Sequence, residues 1–167
     1  MDTSFFSSLN GKTSFYFIRH GQSEGNSAAI FQGRGEYPLS EMGRTQAVLR
    51  GQSLGMELSD TDKRKILIYS SPLLRAKETA EIISREAALP GPVFLEDLQE
   101  MHLGAWTGKN WNQVQEEEPV LWERFRTLSW ETIENAETSG ELFCRAMRVW
   151  TFLRDEAERT GASAVVS

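Results

Sequence analysis

The sequence predicts an α/β fold with a mostly parallel sheet, and two observations carry that expectation. Four short apolar runs, Phe15 to Ile18, Ile66 to Tyr69, Val93 to Leu95 and Ala164 to Val166, are continuous rather than alternating, the pattern of strands covered on both faces. The stretches between them carry helical periodicity, and strands that alternate with helices build parallel sheets.

After the first strand, Ser40 can cap a helix that carries Val48, Gly51, Leu54, Gly55 and Leu58 on one face, although its glycines weaken it. The second strand runs into Ser71-Pro72, a cap and a proline at the first helical position. Leu74, Ala76, Ala80 and Ile83 of that second helix can then face the sheet. A third helix, from about Ser139 to Arg159, repeats Phe143, Ala146, Met147, Trp150, Leu153 and Ala157 at spacings of three and four. Segment 103–135 fits this alternation least well. It holds Trp106, Trp111, Trp122 and Trp130, an acidic run at Glu116 to Glu118 and then Pro119. A short helical excursion over one end of the sheet is expected there, with tryptophans as packing anchors first and pocket walls second.

Composition bounds the function. With 167 residues, 40% hydrophobic and 25% charged, the chain reads as one soluble globular domain over 1–167, able to bury roughly 70% of its unfolded surface. Eighteen Lys and Arg against 24 Asp and Glu give a net charge of -6, which argues against duplex nucleic acid or an anionic membrane as the main partner. A single cysteine, Cys144, excludes an internal disulfide framework and a thiolate metal cluster. The Ser-rich stretch Met1 to Lys12 is too weakly apolar for a signal peptide, and no run approaches about 20 apolar residues, so the cytoplasm is the expected compartment.

Four patterns mimic functional motifs. Gly11-Lys12-Thr13 resembles the end of a phosphate-binding P-loop, but Phe6 stands where the first glycine belongs and the segment precedes its strand. Gly33-Arg34-Gly35 lacks the third glycine of a dinucleotide fingerprint, since Pro38 occupies that position. Asp60-Thr61-Asp62 reads as a solvated turn rather than an aspartyl nucleophile. Cys144, on the apolar side of a predicted helix, reads as core.

The informative residues follow strand ends, where open α/β sheets place ligands. Arg19-His20-Gly21 ends the first strand, offering a forked cation, a nucleophilic nitrogen and a close backbone approach. Arg75 falls in the first turn of the helix after the second strand, where a helix N-terminus and a guanidinium together suit an anion. Glu100, then Gly104, Trp106 and Gly108, follow the third strand.

These segments resemble the histidine phosphatase, or phosphoglycerate mutase-like, superfamily. FIRHGQSEGN is similar to its nucleophile segment, IFQGRGEYPLSEMGRTQA to the following loop and helix, SSPLLRAKETA to its second arginine helix and LQEMHLGAWTG to its acid segment. The resemblance implies a three-layer sandwich with helices flanking the sheet. It makes His20 the nucleophile, Arg19 and Arg75 the phosphoryl clamp, and Glu100 the acid and then the base, protonated when substrate is bound. Gly21, Ser23, Asn26, Gln32 and Gly33 match positions near the phosphate. No metal or cofactor is implied, since the arginines supply the positive charge, and His102 is structural. The expected partner is a small phosphorylated substrate.

Two departures stand out. Ser139-Gly140-Glu141-Leu142 replaces the commoner Gly-Glu-Ser. The family also places a second histidine, in a Ser-His-Gly run, just after the last core strand, whereas these 167 residues stop at Ser167. Either the C-terminal part is missing from them or the protein does without that histidine, at a cost of about 100- to 1000-fold in rate. The leading expectation is therefore metal-independent phosphomonoester hydrolysis. A phosphoglycerate-type mutase is the alternative among enzymes, and a phosphate-binding module with little turnover is the alternative outside them. The Trp-rich segment and the loop from Ala28 to Tyr37 are expected to shape the leaving-group pocket.

Overall fold

A computed structural model describes residues 3–9 and 13–167. Gly11 and Lys12 of the P-loop-like tripeptide lie outside the described residues. Strands β1 (Phe15–Phe17), β2 (Ile66–Ser70), β3 (Val93–Phe94) and β4 (Ser163–Val166) form one sheet in the order β1-β4-β2-β3, every pairing parallel. The helices are α1 (Glu24–Ser27), α2 (Glu41–Glu57), α3 (Asp60–Lys63), α4 (Leu74–Ala87), α5 (Trp111–Glu117), α6 (Pro119–Thr127) and α7 (Ser139–Thr160).

Because side chains alternate along a strand, β2 and β4 feed two cores. Ile66, Ile68 and Val165 pack with Ala80, Ile83 and Ala87 of α4 and with Leu54 of α2. Tyr69, Ala164 and Val166 meet Val149 and Leu153 of α7 on the other face. The result is the three-layer α/β arrangement that the sequence predicts. Each fully buried Leu or Ile stabilises it by roughly 1.5–3 kcal/mol.

Ser40 caps α2 as expected, its hydroxyl accepting from the Gly43 N–H at 3.1 Å. The glycines that weaken this helix in isolation let it pack closely, since a Cβ at Gly51 would lie 2.7 Å from the Glu86 side chain of α4. Five expectations need correction. The outer strands β1 and β3 are not covered on both faces, and Phe17, Val93 and Phe94 are exposed. Helix α4 starts at Leu74, not at Pro72; Ser71 instead accepts from the Leu73 N–H at 3.3 Å, and Leu74 is exposed. Residues 60–63 form a one-turn helix rather than a turn. The buried stripe of α7 is Arg145, Val149, Leu153 and Ala157, whereas Phe143 is 65% exposed. Cys144 is exposed, not core. The last two share a cause: an arginine occupies the inward position at the start of the helix, so apolar periodicity misplaces the face there, whereas Leu153 and Ala157 are buried as expected.

Candidate active site

The carboxyl ends of three strands deliver three chemical groups to one place. A cavity of about 480 Å³ is lined by Arg19 and His20 after β1, Arg75 after β2 and Glu100 after β3, with Asn26, Gln32 and Gly33 beside them. The sequence-predicted groups are thus brought together, except Gly21 and Ser23, which do not line the cavity. A Cβ at Gly21 would strike the Gly43 carbonyl oxygen. Ser23 is buried as the cap of α1, accepting from the Asn26 N–H at 3.1 Å and donating to Gln32 Oε1 at 2.6 Å.

His20 is half-buried, and its Nδ1 lies 2.7 Å from the Gly21 carbonyl oxygen. A carbonyl can only accept, so Nδ1 carries the proton and Nε2 keeps its lone pair. Burial holds the imidazole below its ordinary pKa, and the charges of Arg75 and Arg19 act in the same direction; the Gly21 hydrogen bond and Glu100 oppose them. Neutral imidazole with a free Nε2 is the nucleophilic form.

Arg75 is only 2% exposed. Its guanidinium donates to the Gly35 carbonyl at 3.0 Å and to the Gly33 carbonyl at 2.8 Å. These carbonyls fix the fork, and burial lowers its pKa while Glu100 and Glu36 oppose the shift. The helix N-terminus beside it is not free for an anion as expected, because Glu36 already accepts from the Leu74 N–H at 2.8 Å. The positive charge in this corner comes from the guanidiniums of Arg19 and Arg75. Glu100 is exposed at the cavity mouth, and one of its carboxylate oxygens accepts from the Met101 N–H at 2.9 Å.

Residues that no motif announced hold this arrangement. Thr79 accepts from the Gly21 N–H at 3.1 Å and donates to the Arg75 carbonyl at 2.7 Å, tying the histidine loop to the arginine helix. Arg145 donates to the Asp97 and Gln99 carbonyls at 2.8 and 2.6 Å and forks onto Glu137 at 2.9 and 2.8 Å. Arg34 bridges Glu137, at 3.2 Å, to the Glu100 carbonyl, at 3.1 Å. Arg145 lowers the pKa of Glu137 by hydrogen bonding, and Arg34 adds to the effect. The backbone before and at Glu100 is therefore clamped by buried charge. A Thr four residues after Arg75 is a helical-face signal that could have been read; Glu137 carries none.

The far wall comes from the excursion. Loop residues Ala29 and Phe31 bond to the backbone of 108–111, with Phe31 N–H to Lys109 O at 2.9 Å and Trp111 N–H to Ala29 O at 2.9 Å. Trp106 is fully buried among Phe31, Trp122 and Phe125, while Trp111 and Trp130 line the cavity. The tryptophans thus divide between anchoring and lining. His102 lies outside this cavity and faces a separate polar groove of about 780 Å³ with Arg34, Glu137 and Cys144. Its Nδ1 accepts from the Gly104 N–H at 3.0 Å, a structural bond. Glu141 serves as the partner in the capping box of α7. Among the described residues, no three His, Cys, Asp or Glu side chains are grouped to hold a metal ion, and no helix is long and apolar enough to cross a membrane.

Known proteins share this arrangement of elements. The chain is 36% identical over 113 residues to a metal-independent phosphoserine phosphatase of Arabidopsis thaliana, covering 68% of this chain and 45% of that protein. It is 30% identical over 141 residues to a 2,3-bisphosphoglycerate-dependent phosphoglycerate mutase of Bartonella henselae, covering 81% and 64%. The chain thus spans less than half the length of the Arabidopsis relative and less than two thirds of the Bartonella one. The fold matches the crystal structure of a phosphoglycerate mutase from Bacillus anthracis with a TM-score of 0.80 at 20% identity, over 95% of this chain and 75% of that one. The profile of the histidine phosphatase superfamily (branch 1) matches residues 15–167, and the chain belongs to that superfamily.

Proposed function

We propose that the protein hydrolyses phosphomonoesters without a metal, through a phosphohistidine on His20. The observation that carries this reading is a histidine whose Nδ1 lies 2.7 Å from the Gly21 carbonyl oxygen, leaving Nε2 for phosphorus, in one cavity with Arg19, Arg75 and Glu100. Nε2 attacks phosphorus, and the ester P–O bond breaks with its electron pair leaving on the alcohol oxygen. Glu100, as the carboxylic acid, donates its proton to that oxygen. Water then attacks phosphorus while the Glu100 carboxylate takes the water proton; the P–N bond breaks, and phosphate leaves with His20 restored. The guanidiniums of Arg19 and Arg75 compensate the charge on the phosphoryl oxygens. Positioning and charge account for most of the acceleration in such transfers. Asn26, Gln32 and Gly33 complete the floor around the phosphoryl group, and Gly21 and Ser23 support it without lining the cavity.

The named relatives support either a phosphatase or a mutase. The second reading, phosphoryl return to a bound glycerate instead of water, is favoured by the alignment with the Bartonella mutase over 81% of the chain. Glu100→Gln tests the proposal. It should slow hydrolysis of an alkyl phosphate by about 100- to 10,000-fold. Release of p-nitrophenolate, which leaves without a proton, should slow far less in its first step. Equal loss on both substrates would remove Glu100 from the acid role. Labelled phosphate recovered on glycerate rather than in solution would select the mutase.

A further inference from the structure

We infer that the site takes phosphomonoesters of apolar or aromatic alcohols, and disfavours alcohols that carry a second anionic group. The inference rests on the reading of His20, Arg19, Arg75 and Glu100 as the phosphoryl end of the cavity. With the phosphorus there, the alcohol extends toward the opposite wall. That wall is made by Ile30, Phe31, Leu103, Trp111, Phe125 and Trp130.

The chemistry of this wall is one-sided. Phe31 stands 5.7 Å from Trp111, tilted by 43°, and 5.6 Å from Phe125, edge to face at 89°, so the three rings pack as one aromatic cluster. The polar atom of Trp130 is already engaged, its indole N–H donating to the Glu137 carbonyl at 2.7 Å. The nearby cations are committed elsewhere. Arg34 bonds Glu100 and Glu137, and Lys109 pairs with Glu118 at 2.6 Å. Among the described residues, the arginines and lysines lining the cavity are Arg19 and Arg75, both at the phosphoryl end. A carboxylate or second phosphate seated against the aromatic wall would lose water without meeting a cation among the described residues. A ring or alkyl chain would gain apolar contact and offset stacking.

Trp111 is the side chain to change, since it is 47% exposed and its loss leaves the buried cluster in place. The experiment compares kcat/KM for 1-naphthyl phosphate and 3-phosphoglycerate in the wild type and in Trp111→Ala, with the phosphorylated histidine measured for both substrates. The expected wild-type ratio favours the naphthyl ester by at least about tenfold, and Trp111→Ala should narrow it by lowering the naphthyl rate more. General damage would lower both rates together and leave the ratio unchanged, which would overturn the role of the wall. Phosphorylation of His20 with 3-phosphoglycerate equal or preferred would overturn the inference and leave the phosphatase reading standing. If neither ester phosphorylates His20, the phosphatase reading fails first and the inference fails with it.

Discussion

The two ends of the cavity are built by different means. At the phosphoryl end, main-chain groups hold the charged side chains: Gly33 and Gly35 carbonyls grip Arg75, and the Gly21 carbonyl sets the His20 tautomer. At the leaving-group end, side chains hold side chains, with Phe31, Trp106, Trp122 and Phe125 packed ring against ring. Backbone placement tolerates little change, because three strand ends must keep their positions together. An aromatic wall can be re-cut one residue at a time without moving the reacting groups. On the proposed reading, the chemistry belongs to the first end and the choice of substrate to the second.

Breaking the clamp behind Glu100 should produce the largest effect on the fold. Arg145→Ala leaves Glu137, whose side chain is only 8% exposed, without its forked partner. Losing one member of a buried pair costs about 3–5 kcal/mol, a deficit that denaturant titration would show. The pair also sets a pH dependence. Glu137 is held below its ordinary value of 4.5, so its contribution is present above that pH and is lost as pH falls through the lowered value. Arg145→Ala should flatten that acid limb. An unchanged stability curve would mean the clamp does not hold this end.

A smaller effect is expected at Arg75. Arg75→Ala should weaken binding of inorganic phosphate by about 1.5–3 kcal/mol, the range for a charged hydrogen bond. Calorimetry would measure it, and unchanged affinity would take Arg75 out of the clamp. Smaller still is the displacement of the His20 titration. Its midpoint, followed by NMR of the ring protons, should lie below the ordinary 6.5 because burial and two arginines disfavour the imidazolium. The ring then stays neutral to lower pH than a free histidine, and a midpoint above 6.5 would contradict the environment described here.

The same contrast explains what the sequence made legible. His20, Arg75 and Glu100 were readable because each follows a short apolar run, and strand order converts that local pattern into convergence at one sheet edge. Arg145 was not, since a buried arginine replaces an apolar residue at an inward position of α7 and so erases the periodicity that marks the helix face, and Glu137, which precedes that helix, carries no periodic signal. Phe31 and Phe125 meet across a long stretch of chain, and no local pattern announces such a contact. The segment 103–135 could therefore be read as an aromatic excursion near the pocket, but not as a wall of particular residues.

The most direct test of the central claim is the site of phosphorylation. Protein incubated with an aryl phosphate, quenched in alkali and digested should yield one phosphopeptide, acid-labile and stable to base, with the phosphoryl group on His20; His20→Ala should yield none. A phosphorylated residue other than His20, or full turnover by His20→Ala, would contradict the account.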